Sequence, residues 1–285
     1  MGTKYLTNNE IQNFWNHLDE EERSAATKEK YCRDIVSFQR FLSGEEVTKE
    51  KVVSYKRHLL ELGYAERSVN SMLAAINSLF QFLGWYECRV KAIRLAPEIY
   101  RPEEKELTQK EYERLVQTAT KQGKEQIAMI LQTICGTGIR IGELQFITVE
   151  AVKRGEARVN CKGKIRKVFI VSELKVLLQT YIKKHQVHSG AVFITRTGHP
   201  VNRTSVWRSM KQLCKDAKVN PSKVFPHNLR HLFARVFYKM EKDIAKLADI
   251  LGHSSINTTR IYIISTGKEH QRKMEKMGLI CPLRM

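Results

Sequence analysis

The chain has 285 residues, enough for about two domains of ordinary size, and its 42% hydrophobic content supports buried cores and argues against disorder. Its 49 Lys/Arg against 30 Asp/Glu give a formal charge of +19, a field that attracts polyanions, nucleic acid first among them. No apolar run approaches the ~18 residues that span a bilayer and no secretory signal opens the chain, so a cytoplasmic, nucleoid-associated protein without a membrane partner is expected.

The first 96 residues read as four helices in a compact bundle. A short helix covers the region of Ile11 and Leu18. Tyr31, Ile35, Phe38 and Leu42 then recur at spacings of four, three and four, a single apolar stripe that Gly44 stops. Thr48 suits the N-cap of a helix running through Val52, Tyr55 and Leu59 to Gly63. Ser68 is expected to cap the next, whose stripe is Val69, Leu73, Ile76, Phe80 and Leu83. The polar faces carry Lys28, Lys30, Arg33, Lys51, Lys56, Arg57 and Arg67, cations suited to DNA phosphates or simply to solvated faces. A polar stretch with two prolines, 97–105, reads as a linker.

Residues 106–285 read as a second, mainly helical domain. Thr108 and Glu111 fit a capping box. Near 157–171, β-branched runs flank Lys162-Gly163-Lys164, the pattern of a hairpin with a basic turn. Residues 97–285 hold 35 Lys/Arg against 17 Asp/Glu, whereas residues 1–96 hold 14 against 13, so the excess charge lies in the second part. Six cysteines, at 32, 88, 135, 161, 214 and 281, form no CxxC pair and no zinc spacing, so free thiols and no metal site are expected. The phosphate-loop pattern of nucleotide-binding proteins is absent from the sequence.

Four places in this second part gather groups suited to a phosphodiester. In Gly136-Thr137-Gly138-Ile139-Arg140-Ile141-Gly142-Glu143 the glycines permit a tight approach into a helix. The Arg140 fork there could grip phosphate oxygens or pair with Glu143 three residues on. The hairpin turn brings Lys162 and Lys164, with Arg166 on the returning strand; a turn lysine could protonate a leaving oxygen or be merely solvated, and Lys164 and Arg166 are candidate DNA contacts. In Pro226-His227-Asn228-Leu229-Arg230-His231, His227 and Arg230 share a helix face, while His231 is turned about 100° away by the helical repeat, in a structural place. Finally Leu251-Gly252-His253 closes a helix, and Tyr262 follows nine residues after His253.

Taken together, Thr-Gly-x-Arg-x-x-Glu-Leu, the basic turn, His-x-Leu-Arg-His and Leu-Gly-His with its distant Tyr resemble the active site of the tyrosine recombinase/integrase family. The resemblance spans the whole chain. It implies a mainly α protein: a four-helix SAM-like core-binding domain (1–96), a linker (97–105) and an α-rich catalytic domain with a small sheet and a C-terminal tail (106–285). It also implies roles. Tyr262 would be the nucleophile, and Arg140 and Arg230 would bind the non-bridging phosphate oxygens. Lys162 would protonate the leaving 5′-oxygen, with Lys164 as fallback, because the family's usual Gly-Lys-Gly reads Cys161-Lys162-Gly163 here. His227 would be the general acid/base, His253 would hydrogen-bond the phosphate, and Glu143 would orient its surroundings. Two guanidiniums stabilise the pentavalent transition state more than the ground state, and a phosphotyrosine conserves the bond energy, so no cofactor is required.

The implied partners are duplex DNA with inverted repeats, a homotetramer on synapsed DNA, and accessory directionality or host factors. Simple recombinases without an arm-binding domain, Xer-like ones among them, fit best. A type IB topoisomerase shares the chemistry, but the Leu-Gly-His…Tyr spacing and the tail Lys268–Met277, suited to docking on a neighbour, favour the recombinase. A catalytically inactive DNA-binding regulator is the reading from another class.

Overall fold

The computed structural model describes residues 3–95, 103–161, 164–253, 255–263, 271 and 274–277, apart from the side chains of 103, 161, 164, 262 and 263. The chain divides into two compact units, residues 1–97 and 98–285.

The first unit holds α1 (Asn8–Glu20), α2 (Ala25–Leu42), α3 (Lys49–Glu61) and α4 (Glu66–Phe82). Each apolar stripe faces inward: Phe14, Leu18, Ile35, Phe38, Val52, Tyr55, Leu59, Leu73, Ile76 and Phe80 form one core. Side-chain caps start three of the helices, with Thr7 and Glu10 in a reciprocal capping box at α1, Ser24 at α2 and Thr48 at α3. The fourth departs from the expectation at Ser68. Helix α4 begins three residues earlier, at Glu66, and Ala65 before it makes no side-chain cap. Glu66 instead offers a carboxylate to the positive end of the helix, and Ser68 lies inside the first turn. Two asparagines of α4 then hold the outgoing chain as a strand would. Asn77 exchanges hydrogen bonds with the backbone of Val90, and Asn70 with that of Ile93.

In the second unit, α5 (Gln109–Lys121) opens on the Thr108/Glu111 capping box. Helix α6 (Glu125–Thr137) buries Ile127, Ala128, Met129, Ile130, Leu131 and Ile134. A helix apolar on most of its circumference must be central, and α6 packs against α5, α8 and α10. A 3-10 segment (Ile141–Phe146) and α7 (Val149–Arg154) lead to the antiparallel hairpin of β1 (Glu156–Cys161) and β2 (Lys164–Phe169), with Cys161 opposite Lys164. The turn residues 162 and 163 lie outside the described residues. After α8 (Ser172–Lys184) and α9 (Arg203–Leu213) come the three site-bearing helices α10 (Pro226–Glu241), α11 (Ile244–Leu251) and α12 (Ile256–Ile263). Pro226 at the first position of α10 suits that place, where its missing N–H has no partner to lose. No helix among the described residues is long and apolar enough to cross a membrane.

Candidate active site

The site is built where two helices end. Contrary to the expectation that the Gly136–Gly138 stretch leads into a helix, it closes one: Gly138 caps α6 in the left-handed conformation, φ +63°. A Cβ at Gly138 would lie 2.5 Å from the Phe233 ring, so only glycine allows α10 to approach so closely. Gly252 ends α11 in the same way, φ +65°, and a Cβ there would come within 2.2 Å of Arg166 Cδ.

Arg230 joins these two ends. Its Nη1 donates to the Gly138 carbonyl at 2.5 Å, and its Nη2 donates to the Leu251 carbonyl at 2.7 Å. The side chain is 1% exposed, so its charge is balanced by the carbonyl ends of two helices rather than by water. Nη2 also lies 3.0 Å from His253 Nε2. A guanidinium can only donate, so Nε2 accepts, and the ring proton belongs on Nδ1, which donates to Thr259 Oγ1 at 2.8 Å. His253 is thereby a neutral imidazole fixed in one tautomer. Burial first, then Arg230, Arg140, Arg166 and His227, lower its pKa to about 4.

Arg140 sits at the head of the 3-10 segment. Its amide donates to Glu143 Oε2 at 2.9 Å and its Nη1 to Glu143 Oε1 at 3.0 Å, the local ion pair that the spacing of three allows. Arg166 Nη2 reaches the same carboxylate at 2.6 Å. Burial would raise the Glu143 pKa, but the Arg140 amide, Arg166 and the Arg140 side chain hold it below the usual carboxylate value. Glu143 is 4% exposed, whereas 39% of the Arg140 side chain remains open. Arg140 therefore combines a fixed base with an accessible cation.

His227 is exposed at the start of α10. The reading of His231 as turned away from this neighbourhood needs correction. Four residues separate the two histidines, an angular offset of only about 40°. Their rings meet edge to face with centroids 4.7 Å apart. His231 is buried and supports His227 directly.

Tyr262 lies on α12, one turn beyond Thr259, whose hydroxyl is tied to His253. The Tyr262 and Lys164 side chains and all of Lys162 lie outside what the structure describes, as do residues 268–270, 272 and 273 of the tail. Thr259, fully buried, is a site residue that the sequence reading missed, because one threonine in a Ser/Asn/Thr-rich stretch carries no signal of its own.

Lys28 pairs with Asp19, Lys30 with Asp34, and Lys51 with Glu45, while Lys56 donates to the Lys91 carbonyl. Arg33, Arg57 and Arg67 are exposed, Arg33 beside the Asp34 carboxylate at 3.9 Å. Among the described residues no three His, Cys, Asp or Glu are gathered as metal ligands.

Comparison with known proteins defines the family. The phage integrase family matches residues 105–269, and the phage integrase N-terminal SAM-like domain matches residues 11–87. The chain is 30% identical to tyrosine recombinase XerD of Halalkalibacterium halodurans, over 90% of this chain and 92% of that one. It is 27% identical to tyrosine recombinase XerA of Pyrococcus furiosus, over 98% of each. In fold it is similar to a lambda integrase (residues 75–356) dimer bound to a COC′ core site, with TM-score 0.74 and 17% identity over 91% of this chain and 95% of that one. It is also similar to the Tn1549 transposon integrase in complex with transposon right end DNA, with TM-score 0.70 and 15% identity over 95% of this chain and 99% of that one. The chain belongs to the phage integrase family of tyrosine recombinases.

Proposed function

We propose that this protein cleaves and rejoins duplex DNA at a specific site through a 3′-phosphotyrosine at Tyr262. The observation that carries this reading is the convergence of Arg140, Arg230 and His253 at the ends of α6 and α11, beside the helix that bears Tyr262. Two fixed guanidiniums and a neutral, oriented imidazole suit a phosphate that gains charge in its transition state. Tyr262 attacks phosphorus as its phenolic proton passes to His227, and the 5′-oxygen leaves with a proton from Lys162. His227 serves as general acid/base, and once the phosphate takes over the Arg230 donor the His253 ring proton moves to Nε2 to hydrogen-bond the phosphate, while Thr259 Oγ1 donates to Nδ1 in its place. The reverse attack by a 5′-hydroxyl rejoins the strand with no external energy.

Residues 1–96 act as the core-binding domain, with Arg33, Arg57 and Arg67 the cations best exposed for phosphates, and 106–285 as the catalytic domain. The DNA-bound relatives in solved form support duplex DNA as the partner. Exchange between two duplexes calls for a tetramer. The second unit carries an apolar groove of about 400 Å³, lined by Tyr112, Leu174, Leu177, Val236, Phe237 and Met240, of a size to take apolar tail residues such as Met277 from a neighbour. Integration, excision and multimer resolution all use this chemistry.

The test is covalent capture on nicked suicide duplexes drawn from the DNA flanking the gene. The wild-type protein should leave a protein–DNA band that survives denaturation, and Tyr262→Phe should bind the same duplex without leaving one. Non-covalent binding by both proteins, with no band from either, would instead support the inactive regulator. Relaxation of supercoils lacking target sites would support the topoisomerase.

A further inference from the structure

Arg166 lies where three segments distant in sequence meet. From β2 its Nη2 donates to Glu143 in the 3-10 segment at 2.6 Å, and its Nη1 donates to the Ile250 carbonyl near the end of α11 at 2.9 Å. Its stem passes against Gly252, where any Cβ would come within 2.2 Å of Cδ. Only 13% of the side chain is exposed. A planar fork can hold two acceptors at fixed angles, which a point cation such as lysine cannot do. Two site residues depend on this junction. Arg140 is held by Glu143, which Arg166 anchors through Oε2, the oxygen that also accepts the Arg140 amide. His253 begins the chain just beyond Gly252, the residue against which Arg166 packs.

The charge of the Arg166 guanidinium is matched by the buried Glu143 carboxylate at 2.6 Å, and its other arm is held by the Ile250 carbonyl at 2.9 Å. We propose that Arg166 is a positioning residue for strand cleavage: it fixes the Glu143–Arg140 pair and the His253 turn relative to β2 and makes no contact with DNA. This assignment rests on the recombinase reading above and replaces the expectation that Arg166 binds DNA. Four groups with charge or a titrating proton face His253: Arg230 and His227 from α10, Arg140 from the 3-10 segment, and Arg166 from β2. The hydroxyl of Thr259 on α12 completes its surroundings.

The test uses full-length Arg166→Ala and Arg166→Lys with three readouts. These are DNA affinity as a function of salt, the single-turnover cleavage rate at saturating protein, and the titration of His253 by NMR without DNA. For Arg166→Ala, affinity and salt slope should stay at wild-type values while cleavage falls between about 10- and 10²-fold, the scale of a misplaced catalytic group. Its His253 should titrate upward toward the ordinary histidine range, a change that a purely structural residue remote from the turn would not cause. Arg166→Lys should cleave at an intermediate rate, and it carries the test if the alanine variant does not fold. Weakened binding with a salt slope shallower by about one would make Arg166 a phosphate contact and overturn the proposal. Wild-type cleavage with an unmoved His253 would overturn it equally. Failure of the wild-type protein to form any adduct would refute the recombinase reading, while the His253 titration would still decide whether Arg166 holds the turn.

Discussion

Arg230→Ala should damage the fold as well as the chemistry, and the two losses can be measured separately. The side chain is 1% exposed and satisfies the carbonyls of Gly138 and Leu251 at once. Its removal leaves two buried acceptors without their donor, each worth about 1–3 kcal/mol, for a cost of about 2–6 kcal/mol. In a unit of this size each kcal/mol lowers Tm by roughly 2–4 °C, so the melting point should drop by roughly 5–20 °C. Arg230→Lys can reach one carbonyl but not both and should fall between. Arg140→Ala is the internal contrast, since 39% of that side chain is exposed and its main anchor is the surviving Glu143 pairing with Arg166. Arg140→Ala should melt close to wild type while cleaving about 10²-fold more slowly, the scale of one lost transition-state donor. The assay is thermal unfolding by circular dichroism beside single-turnover cleavage at a temperature where both variants are folded. An Arg230→Ala protein that melts with the wild type would refute the assignment of Arg230 as the joint between α6 and α11.

Gly138→Ala combines a left-handed φ of +63° with a Cβ 2.5 Å from Phe233, and should destabilise by at least the ~1–2 kcal/mol of the backbone conformation alone; urea unfolding measures it. His253 has a folded pKa near 4 against an ordinary 6.5. The unfolded chain therefore takes up the proton first: the stabilising contribution is whole above about pH 6.5 and is lost as pH falls toward about 4. Melts at about pH 7 and about pH 5 should show the wild type losing more than His253→Gln, which cannot titrate. Lys162→Ala should cleave ordinary DNA slowly and recover on a substrate whose bridging 5′-oxygen is sulfur, a leaving group that needs no proton. Recovery of Lys164→Ala instead would move the general acid to that residue.

The helices of the first unit were legible because each apolar stripe keeps the helical period and ends at a glycine or a polar cap, as Ile35, Phe38 and Leu42 do before Gly44. Ser68 misled because a good capping residue also tolerates the first turn of a helix, and the chain reversal at Gly63 decided where α4 begins. In the second unit, order along the sequence revealed the set Arg140, His227, Arg230, His253 and Tyr262, but it could not show what holds them. The burial of Arg230 between two helix ends depends on α6 and α11 converging from more than a hundred residues apart. The junction at Arg166 depends on the hairpin folding back onto Glu143 and Gly252. Neither is a local pattern. His231 was misjudged for a simpler reason: its angle was taken from Arg230 rather than from His227, four residues before it on the same face.

The most direct measurement is to identify the amino acid joined to DNA. Protein trapped on a nicked suicide duplex is digested with protease and nuclease, and the peptide that carries the residual nucleotide is sequenced by mass spectrometry. The expected peptide lies in α12 with the nucleotide on Tyr262, attached through a 3′-phosphate. A nucleotide on any other residue, with Tyr238 of α10 the nearest candidate in sequence, or attachment to a 5′-phosphate, would contradict the proposed chemistry.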